Sequence, residues 1–230
     1  YVPVGSTAFR VDGAHAFKPG DTVLVRRHGN QAWINELGMN LDNKEWRWEP
    51  FTIGFDRIVT RVDGDRITID APLVCAIDKR WGGGDIVRYS DQGRISQVGI
   101  ENLRGVSEFD QTIRTTQHGN IDRQPYHGEE YYSDENHYWN FIRFDNSANI
   151  WVRNVTAKHF AGSLVTLDSG AKWATVQDCE SLMPVSVRAG GRRFVYHLKG
   201  QLALVQRCVS DEGRHSFVLQ DYTACGPNVF

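Results

Sequence analysis

The stretch "VQDCESLMPV" (residues 176–185) has two close counterparts elsewhere in the chain. "VRNVTAKHF" begins at Val152 and "VQRCVSDEG" begins at Val205, while a more distant copy, "GIENLRGVS", begins at Gly99. The copies recur at intervals within the window of about 20–50 residues that is typical of repeat architectures. We therefore expect one structural unit per copy, with each unit stacked on the next.

The apolar residues of the copies indicate strands rather than helices. Ile150, Val152 and Val155 are β-branched, and Val176 and Val205 take equivalent places in the later copies. A repeat made of helix pairs would need longer runs of helix-forming residues with a period of 3.6. Stacked strands would place the apolar residues in inward columns, which predicts a parallel β-helix.

A polar position follows the apolar ones in each copy. Asn102, Asn154 and Asp178 share this position, where a short polar side chain can bond the backbone of a turn. We expect the three residues to mark a bend in their coils. Arg207 breaks this column in the last copy.

Two of the four cysteines also repeat. Cys179 and Cys208 fall at the same place in their copies, so we expect them to lie one above the other in the core. A pair of buried thiols and a disulfide are both open interpretations, with the thiol pair preferred. The cysteines show no metal-binding spacing.

The first part of the chain predicts a separate β-rich module. Residues 1–92 contain short strands and turns, including a hairpin in "DRIVTRVDGDRITIDAPLV" (residues 56–74) and a turn at "FKPGD" (residues 17–21). We place the coils in residues 93–230. Because an apolar strand is still in progress at Phe230, we expect the helix to be truncated there, and its open strand edges make self-association through the ends a further expectation.

A long insertion interrupts the coils at residues 107–142. It is charged and rich in His, Tyr and Gly, and inserted loops of this length are usually functional or disordered. We expect it to cover a groove as a lid, with a merely solvated loop as the alternative, and we count His137 among the substrate-binding residues. No zinc signature occurs in it, and "DENH" (residues 134–137) is only a weak calcium candidate.

Overall composition excludes two classes of partner. The 230 residues include 26 basic and 28 acidic ones, and the formal net charge of −2 argues against a nucleic-acid-binding protein. No apolar run approaches the roughly 18 residues that a membrane span needs. We expect neither nucleic acid nor a membrane span.

Five stretches together resemble a known superfamily. They are "GRISQVGIENLRG" (residues 93–105), "WVRNVTAKHF" (residues 151–160), "GAKWATVQDC" (residues 170–179), "VQRCVSDEGRHSFV" (residues 205–218) and "GPNVF" (residues 226–230). They are similar to right-handed parallel β-helix proteins of the pectate-lyase-like superfamily, in particular bacterial secreted members with a small β-rich module. The resemblance implies an all-β fold, a polysaccharide partner and a secreted, periplasmic or cell-surface location. Its members are mostly lyases or hydrolases, and some are non-catalytic.

Cleavage of a uronic-acid polymer by β-elimination needs a cation, a base and an acid. The stretch "VRAGGRRFVYHLKG" (residues 187–200) concentrates suitable side chains. We assign Arg193 and His197 to catalysis, and to substrate binding the remaining four: Arg188, Arg192, Tyr196 and Lys199. A solvated basic loop is the alternative interpretation.

A second cluster follows the last copy. Arg214 and His215 complete the predicted catalytic set, and counting ten residues from the first valine of each copy brings His159 close to the same face. His159 is therefore a predicted substrate-binding residue, although a structural histidine in a turn is the alternative.

These observations predict a polysaccharide lyase that acts on a uronic-acid-containing glycan, without a firmly indicated cofactor. A glycoside hydrolase is an alternative, but it needs two facing carboxylates, and Asp211 and Glu212 are adjacent in sequence. A non-catalytic glycan-binding or filament protein is the second alternative. Convergence of the four predicted catalytic residues on one groove would favour an enzyme over that alternative.

Overall fold

The structure is a computed structural model that describes residues 1–40, 48–119, 126–220 and 226–230. These residues form two compact units. Tyr1–Gly93 and residues 226–227 make up the first, and the described residues between 94 and 220 make up the second together with Asn228–Phe230.

Neither unit contains a helix that could cross a bilayer, as judged over the described part of the chain. The α-helix in the described part of the chain, Gln31–Glu36, has only six residues.

The first unit is a five-stranded antiparallel sheet with the strand order β1-β4-β3-β2-β5. Its strands are β1 (Ala8–Arg10), β2 (Thr22–His28), β3 (Thr52–Asp63), β4 (Arg66–Ile69) and β5 (Gly84–Arg88). The helix α1 (Gln31–Glu36) follows β2, and single 3₁₀ turns occur at Ala14–Ala16 and Lys79–Trp81.

The predicted hairpin of this unit is confirmed by the pairing of β3 with β4. Val62 faces Ile67 and Asp63 faces Arg66, while Gly64 in the turn has a φ of 59°. A glycine adopts this left-handed conformation without a steric penalty.

The second unit is built from parallel strands. Its strands are β6 (Ile95–Val106), β7 (Arg114–His118), β8 (Tyr126–Tyr132), β9 (Ile142–Phe144), β10 (Ser147–Lys158), β11 (Val165–Leu167), β12 (Lys172–Gln177), β13 (Glu180–Leu182), β14 (Phe194–Leu198), β15 (Gln201–Gln206), β16 (Val209–Ser210), β17 (His215–Leu219) and β18 (Asn228–Val229). Strands β7 and β8 form an antiparallel hairpin.

The chain visits two parallel sheets alternately. The small sheet has the order β17-β14-β11-β9, and the large sheet contains β6, β10, β12, β13, β15, β16 and β18. Each coil runs along the large sheet, turns a corner, adds one strand to the small sheet and returns. The second unit is therefore all-β, with curled parallel sheets.

The registers of the large sheet match the sequence copies residue by residue. Ile100 pairs with Val152, Val152 with Val176, and Val176 with Val205. Val152, Val176 and Val205 are buried in the core between the two sheets. The predicted stacking of the copies is confirmed because every coil buries its apolar face against its neighbours.

The bend predicted for Asn102, Asn154 and Asp178 is confirmed, whereas the expected break at Arg207 is wrong, because Arg207 keeps the same backbone conformation. Asn102, Asn154, Asp178 and Arg207 all have φ values between 50° and 57°, in the left-handed region. Asn154 Nδ2 donates a hydrogen bond of 2.7 Å to Asn102 Oδ1, and Arg207 forms a bidentate pair with Asp178 at 2.6 and 2.8 Å. Asparagine tolerates this backbone conformation better than most residues.

Cys179 and Cys208 follow the bend and occupy equivalent positions, since the next residues, Glu180 and Val209, are paired. Both are free thiols, as is Cys75. The hydrogen bond between the two thiols raises the pKa of Cys179 and lowers the pKa of Cys208. Cys225 lies outside the described residues.

We predict that Asn154→Ala lowers the free energy of unfolding more than Asn154→Gly, by about 1 kcal/mol, because a left-handed backbone is costly for alanine. Both variants lose the hydrogen bond to Asn102, so their difference isolates the backbone cost. Urea denaturation measures it. Equal stability of the two variants would contradict a left-handed bend at this position.

Candidate functional site

A second backbone position with a positive φ recurs at the place where each coil leaves the large sheet for the small sheet, which we call the corner. His159, Met183 and Glu212 have φ values of 67°, 47° and 51°. They occupy equivalent positions in three successive coils, because the strand residues that precede them are paired in register. Neighbouring parallel strands lie about 4.8 Å apart, so the three residues form a column along the stack.

The two longest connections between the large sheet and the small sheet occur at this corner. Residues 159–164 connect β10 to the small sheet, residues 183–193 connect β13 to it, and residues 211–214 connect β16 to it. In the first coil the connection contains the β7–β8 hairpin. The predicted insertion thus leaves the stack at the column formed by His159, Met183 and Glu212.

The hairpin packs on the 183–193 connection. His118 forms an isolated parallel β-bridge with Arg188, and the amide of Gly119 donates a hydrogen bond of 3.2 Å to the carbonyl of Arg188. The amide of Arg188 donates 3.0 Å to the Tyr131 hydroxyl. Hairpin and connection therefore form a continuous wall at the corner.

A cavity of about 380 Å³ lies against this wall, and we call it the corner groove. Its lining combines aromatic rings, guanidinium groups and carboxylates with the histidine and methionine of the column. These residues are Phe109, Arg114, Glu129, Glu130, Tyr131, Tyr132, His159, Met183, Arg188, Arg193 and Glu212, with Pro184 and Val185.

Glu212 joins two arginines of the groove. Its Oε2 lies 2.6 Å from Arg188 Nη2 and 3.3 Å from Arg193 Nη1. Arg193 is only 1% exposed, and its Nη2 donates 2.8 Å to the carbonyl of Ser186. Burial, followed by repulsion from Arg188, lowers the pKa of Arg193 to about 10. The groove is thus anchored on a buried cation that shares one carboxylate with a more exposed one.

Arginines also lie over the tyrosine rings. The Arg188 guanidinium is 4.5 Å from the centre of the Tyr131 ring, and the Arg114 guanidinium is 4.5 Å from that of Tyr132. Arg114 also forms an ion pair of 3.1 Å with Glu130. These contacts keep the aromatic and charged parts of the groove in fixed relative positions.

His159 packs edge-on against Phe109, with ring centres 5.0 Å apart. Burial lowers the pKa of His159, and the neighbouring Lys158 lowers it further. At neutral pH its imidazole is therefore neutral and can accept a proton.

His137 has a structural position. Its Nε2 lies 2.9 Å from the Val185 carbonyl and 3.1 Å from the Asp134 carbonyl, so this nitrogen carries a proton and donates. Its Nδ1 lies 2.7 Å from the Ser107 hydroxyl. The hydrogen bonds of the predicted substrate-binding residue His137 thus connect the insertion to the 183–193 connection.

The structure does not bring the four predicted catalytic residues together in one cavity. Arg193 lines the corner groove, whereas Arg214 lines a neighbouring cavity. His197 lies on β14, and His215 lies at the start of β17. The ring of His215 packs edge-on against that of Phe194, with ring centres 4.7 Å apart.

The other predicted binding residues are also divided. Arg188 and His159 line the groove. Arg192 forms a bidentate pair with Glu135 at 2.7 and 3.0 Å, and Lys199 lies 3.9 Å from Asp168.

Tyr196 lies in the core rather than at a binding surface. It is fully buried, and its ring stacks on that of Phe217 with ring centres 5.1 Å apart. Its hydroxyl oxygen lies at hydrogen-bonding distance from the carbonyl oxygen of Cys179 (2.9 Å) and from that of Val209 (2.8 Å). Burial raises the pKa of Tyr196. Its contacts stabilise the coils.

The repeat offset that placed His215 at the same face as His159 is wrong. Glu212 occupies the position equivalent to His159. His159 lies five residues after Asn154, and Glu212 lies five residues after Arg207, which is stacked with Asn154 at the bend. Counting ten residues from the valine passes the corner, where the connections differ in length. Counting from the bend would have identified Glu212.

The described residues contain no group of three or more His, Cys, Asp or Glu side chains that could hold a metal ion. In "DENH", the weak calcium candidate, the Asp134 carboxylate accepts hydrogen bonds of 2.8 Å from the backbone amides of Asp110 and Asn136. Glu135 is engaged by Arg192 and by the amide of Val187. The expectation of no cofactor, with calcium as a weak alternative, stays a prediction.

No family model matches the chain, and no curated protein matches it. Among solved structures, the crystal structure of the Pseudomonas phage phi297 tailspike gp61 is similar, with 13% sequence identity and a TM-score of 0.41. The match covers 90% of this chain and 32% of the tailspike chain, so it spans about a third of that protein.

We predict that Glu212→Gln lowers the free energy of unfolding by about 1 kcal/mol or more, because buried Arg193 loses its charged partner. Asp211→Asn is the matched control, since it removes the adjacent exposed carboxylate. Urea denaturation compares the variants. An equal effect of both substitutions would contradict the shared ion pair.

We predict that His159 makes the fold less stable in acid. Because its pKa is lowered in the folded state, the unfolded state binds the proton more tightly, and stability falls as the pH drops below 6.5. His159→Gln should lose less stability than the wild type over this interval. NMR titration gives the pKa directly, and a value above 6.5 would contradict the burial of the imidazole.

Proposed function

We propose that the chain contains a right-handed parallel β-helix that binds a uronic-acid-containing polysaccharide in the corner groove and cleaves it by β-elimination. One observation carries the proposal. Three successive coils and the inserted hairpin bring aromatic rings, guanidinium groups and a histidine to one open cavity.

The groove suits the binding of sugar rings. Phe109, Tyr131 and Tyr132 offer aromatic surface, and a concave site with apolar walls and a few placed polar groups is the usual form of a small-ligand or substrate site. Arg188 presents a guanidinium fork that matches the geometry of a carboxylate. These features support a chain of sugars that carries acidic groups.

The groove also supports the three steps of elimination. Arg188 would neutralise the uronate carboxylate, which makes the adjacent carbon-bound proton more acidic. His159 would accept that proton, since its lowered pKa keeps it neutral at neutral pH. The hydroxyl of Tyr132 in the same groove is our candidate to protonate the leaving oxygen. This assignment replaces buried Arg193 as a catalytic residue.

Non-catalytic glycan binding is the second candidate function. It is favoured by the separation of Arg193, His197, Arg214 and His215, which do not line a common cavity. It is also favoured by the ion pair between Arg188 and Glu212, which balances charge in the absence of substrate.

Glycoside hydrolysis is a third candidate, because Glu129, Glu130 and Glu212 line the same groove. A hydrolase would use two of these carboxylates on opposite sides of the scissile bond. For each of these functions, a polysaccharide substrate implies that the protein acts in the periplasm, at the cell surface or outside the cell.

We predict that incubation with acidic polysaccharides produces unsaturated uronate ends, detected by ultraviolet absorbance together with reducing ends. His159→Ala should lower the rate about 100-fold or more, as expected for loss of a general base. Arg153→Ala is the matched control, because Arg153 lies on the large sheet and pairs with Glu101.

Three outcomes would change the assignment. Reducing ends without unsaturated products would indicate hydrolysis and direct attention to the three glutamates. Polysaccharide binding without either product would indicate a non-catalytic role. Full elimination activity in His159→Ala would show that another group is the base.

A further inference from the structure

A second cavity, of about 530 Å³, shares the Arg188–Glu212 ion pair with the corner groove. Its remaining lining residues are His118, Gly119, Gly213 and Arg214. The aromatic residues of the corner groove do not line it. The two cavities therefore meet at one ion pair but differ in chemistry.

The charges of the two cavities differ. In the corner groove, three arginines face three glutamates: Arg114, Arg188 and Arg193 against Glu129, Glu130 and Glu212. In the second cavity, Arg188 and Arg214 face Glu212 alone. The described lining of the second cavity thus carries an excess of positive charge, whereas that of the corner groove is balanced.

The single carboxylate is also shared beyond the cavity. Glu212 pairs with buried Arg193 as well as with Arg188. Its carboxylate is therefore already shared by two guanidinium groups, and Arg214 is a third cation close to it. Arg214 donates to the carbonyl of Gly190, and no carboxylate pairs with it among the described residues. Among the described residues, the guanidinium of Arg214 therefore lines the second cavity without a carboxylate partner.

We propose that the second cavity is a subsite for an oxyanion of the bound glycan, held between Arg188 and Arg214. The inference rests on the proposed function and adds to it. Sugar rings would occupy the balanced corner groove, and a carboxylate or sulfate group would enter the positive cavity beside it. Guanidinium forks bind both groups in bidentate fashion.

Small probes test the subsite separately from the polymer. Free glucuronate, a sulfated monosaccharide and neutral glucose would be titrated into the whole protein, with binding followed by NMR. We expect at least one acidic probe to bind about 10-fold more tightly than glucose, which corresponds to about 1.4 kcal/mol. The two acidic probes distinguish a carboxylate subsite from a sulfate subsite.

Arg214→Ala should weaken binding of the acidic probe about 10-fold and leave glucose unaffected, while Arg214→Lys keeps the charge but loses the fork and should be intermediate. Arg153→Ala, an arginine outside both cavities, should change nothing. Equal binding of acidic and neutral probes, or an Arg214→Ala variant that binds like the wild type, would overturn the inference.

Failure of the subsite and failure of the proposed function give different results. Degradation of an acidic polysaccharide that does not depend on Arg214 would remove the subsite and keep the function. Binding of the acidic probe that depends on Arg214, without binding of any polysaccharide, would keep the oxyanion site but remove the glycan function.

Discussion

In-register stacking of parallel strands is the constraint on which the second unit depends. Val152, Val176 and Val205 lie in one buried column, and they share a core with apolar residues of the small sheet. Because the register is constant in the large sheet, residues at a fixed distance from the bend are also stacked as far as the corner. The column of His159, Met183 and Glu212 follows from this geometry.

The corner differs from the rest of each coil because it carries the two longest connections, residues 107–141 and 183–193. Strands of the large sheet keep one register through the stack, whereas connections outside the core can lengthen without disturbing it. The hairpin formed by β7 and β8 and the 183–193 connection exploit this freedom and pack on each other through Tyr131 and Arg188. A regular scaffold thus carries an irregular site at one edge.

The scaffold could be predicted from the sequence because its signals are local. Alternating β-branched residues gave the inward column, and the shared position of Asn102, Asn154 and Asp178 gave the bend. The buried place of Tyr196 was not predictable in this way. In a loop-rich stretch its hydroxyl resembled a binding group, whereas the structure satisfies it with two backbone carbonyls.

The site was only partly predictable because its contacts join distant parts of the chain. Arg188 was identified from its basic surroundings, but its partners Tyr131 and Glu212 come from the insertion and from the last coil. Glu135 neutralises Arg192 in the same manner, so a basic stretch in sequence becomes a set of ion pairs in space. Composition alone cannot show which arginines remain available to a ligand.

A crystal structure of the protein with a bound acidic oligosaccharide would show whether the corner groove binds the glycan. We expect electron density for sugar rings in the corner groove, with an acidic group within hydrogen-bonding distance of Arg188. Density confined to another surface, with the corner groove empty, would contradict it.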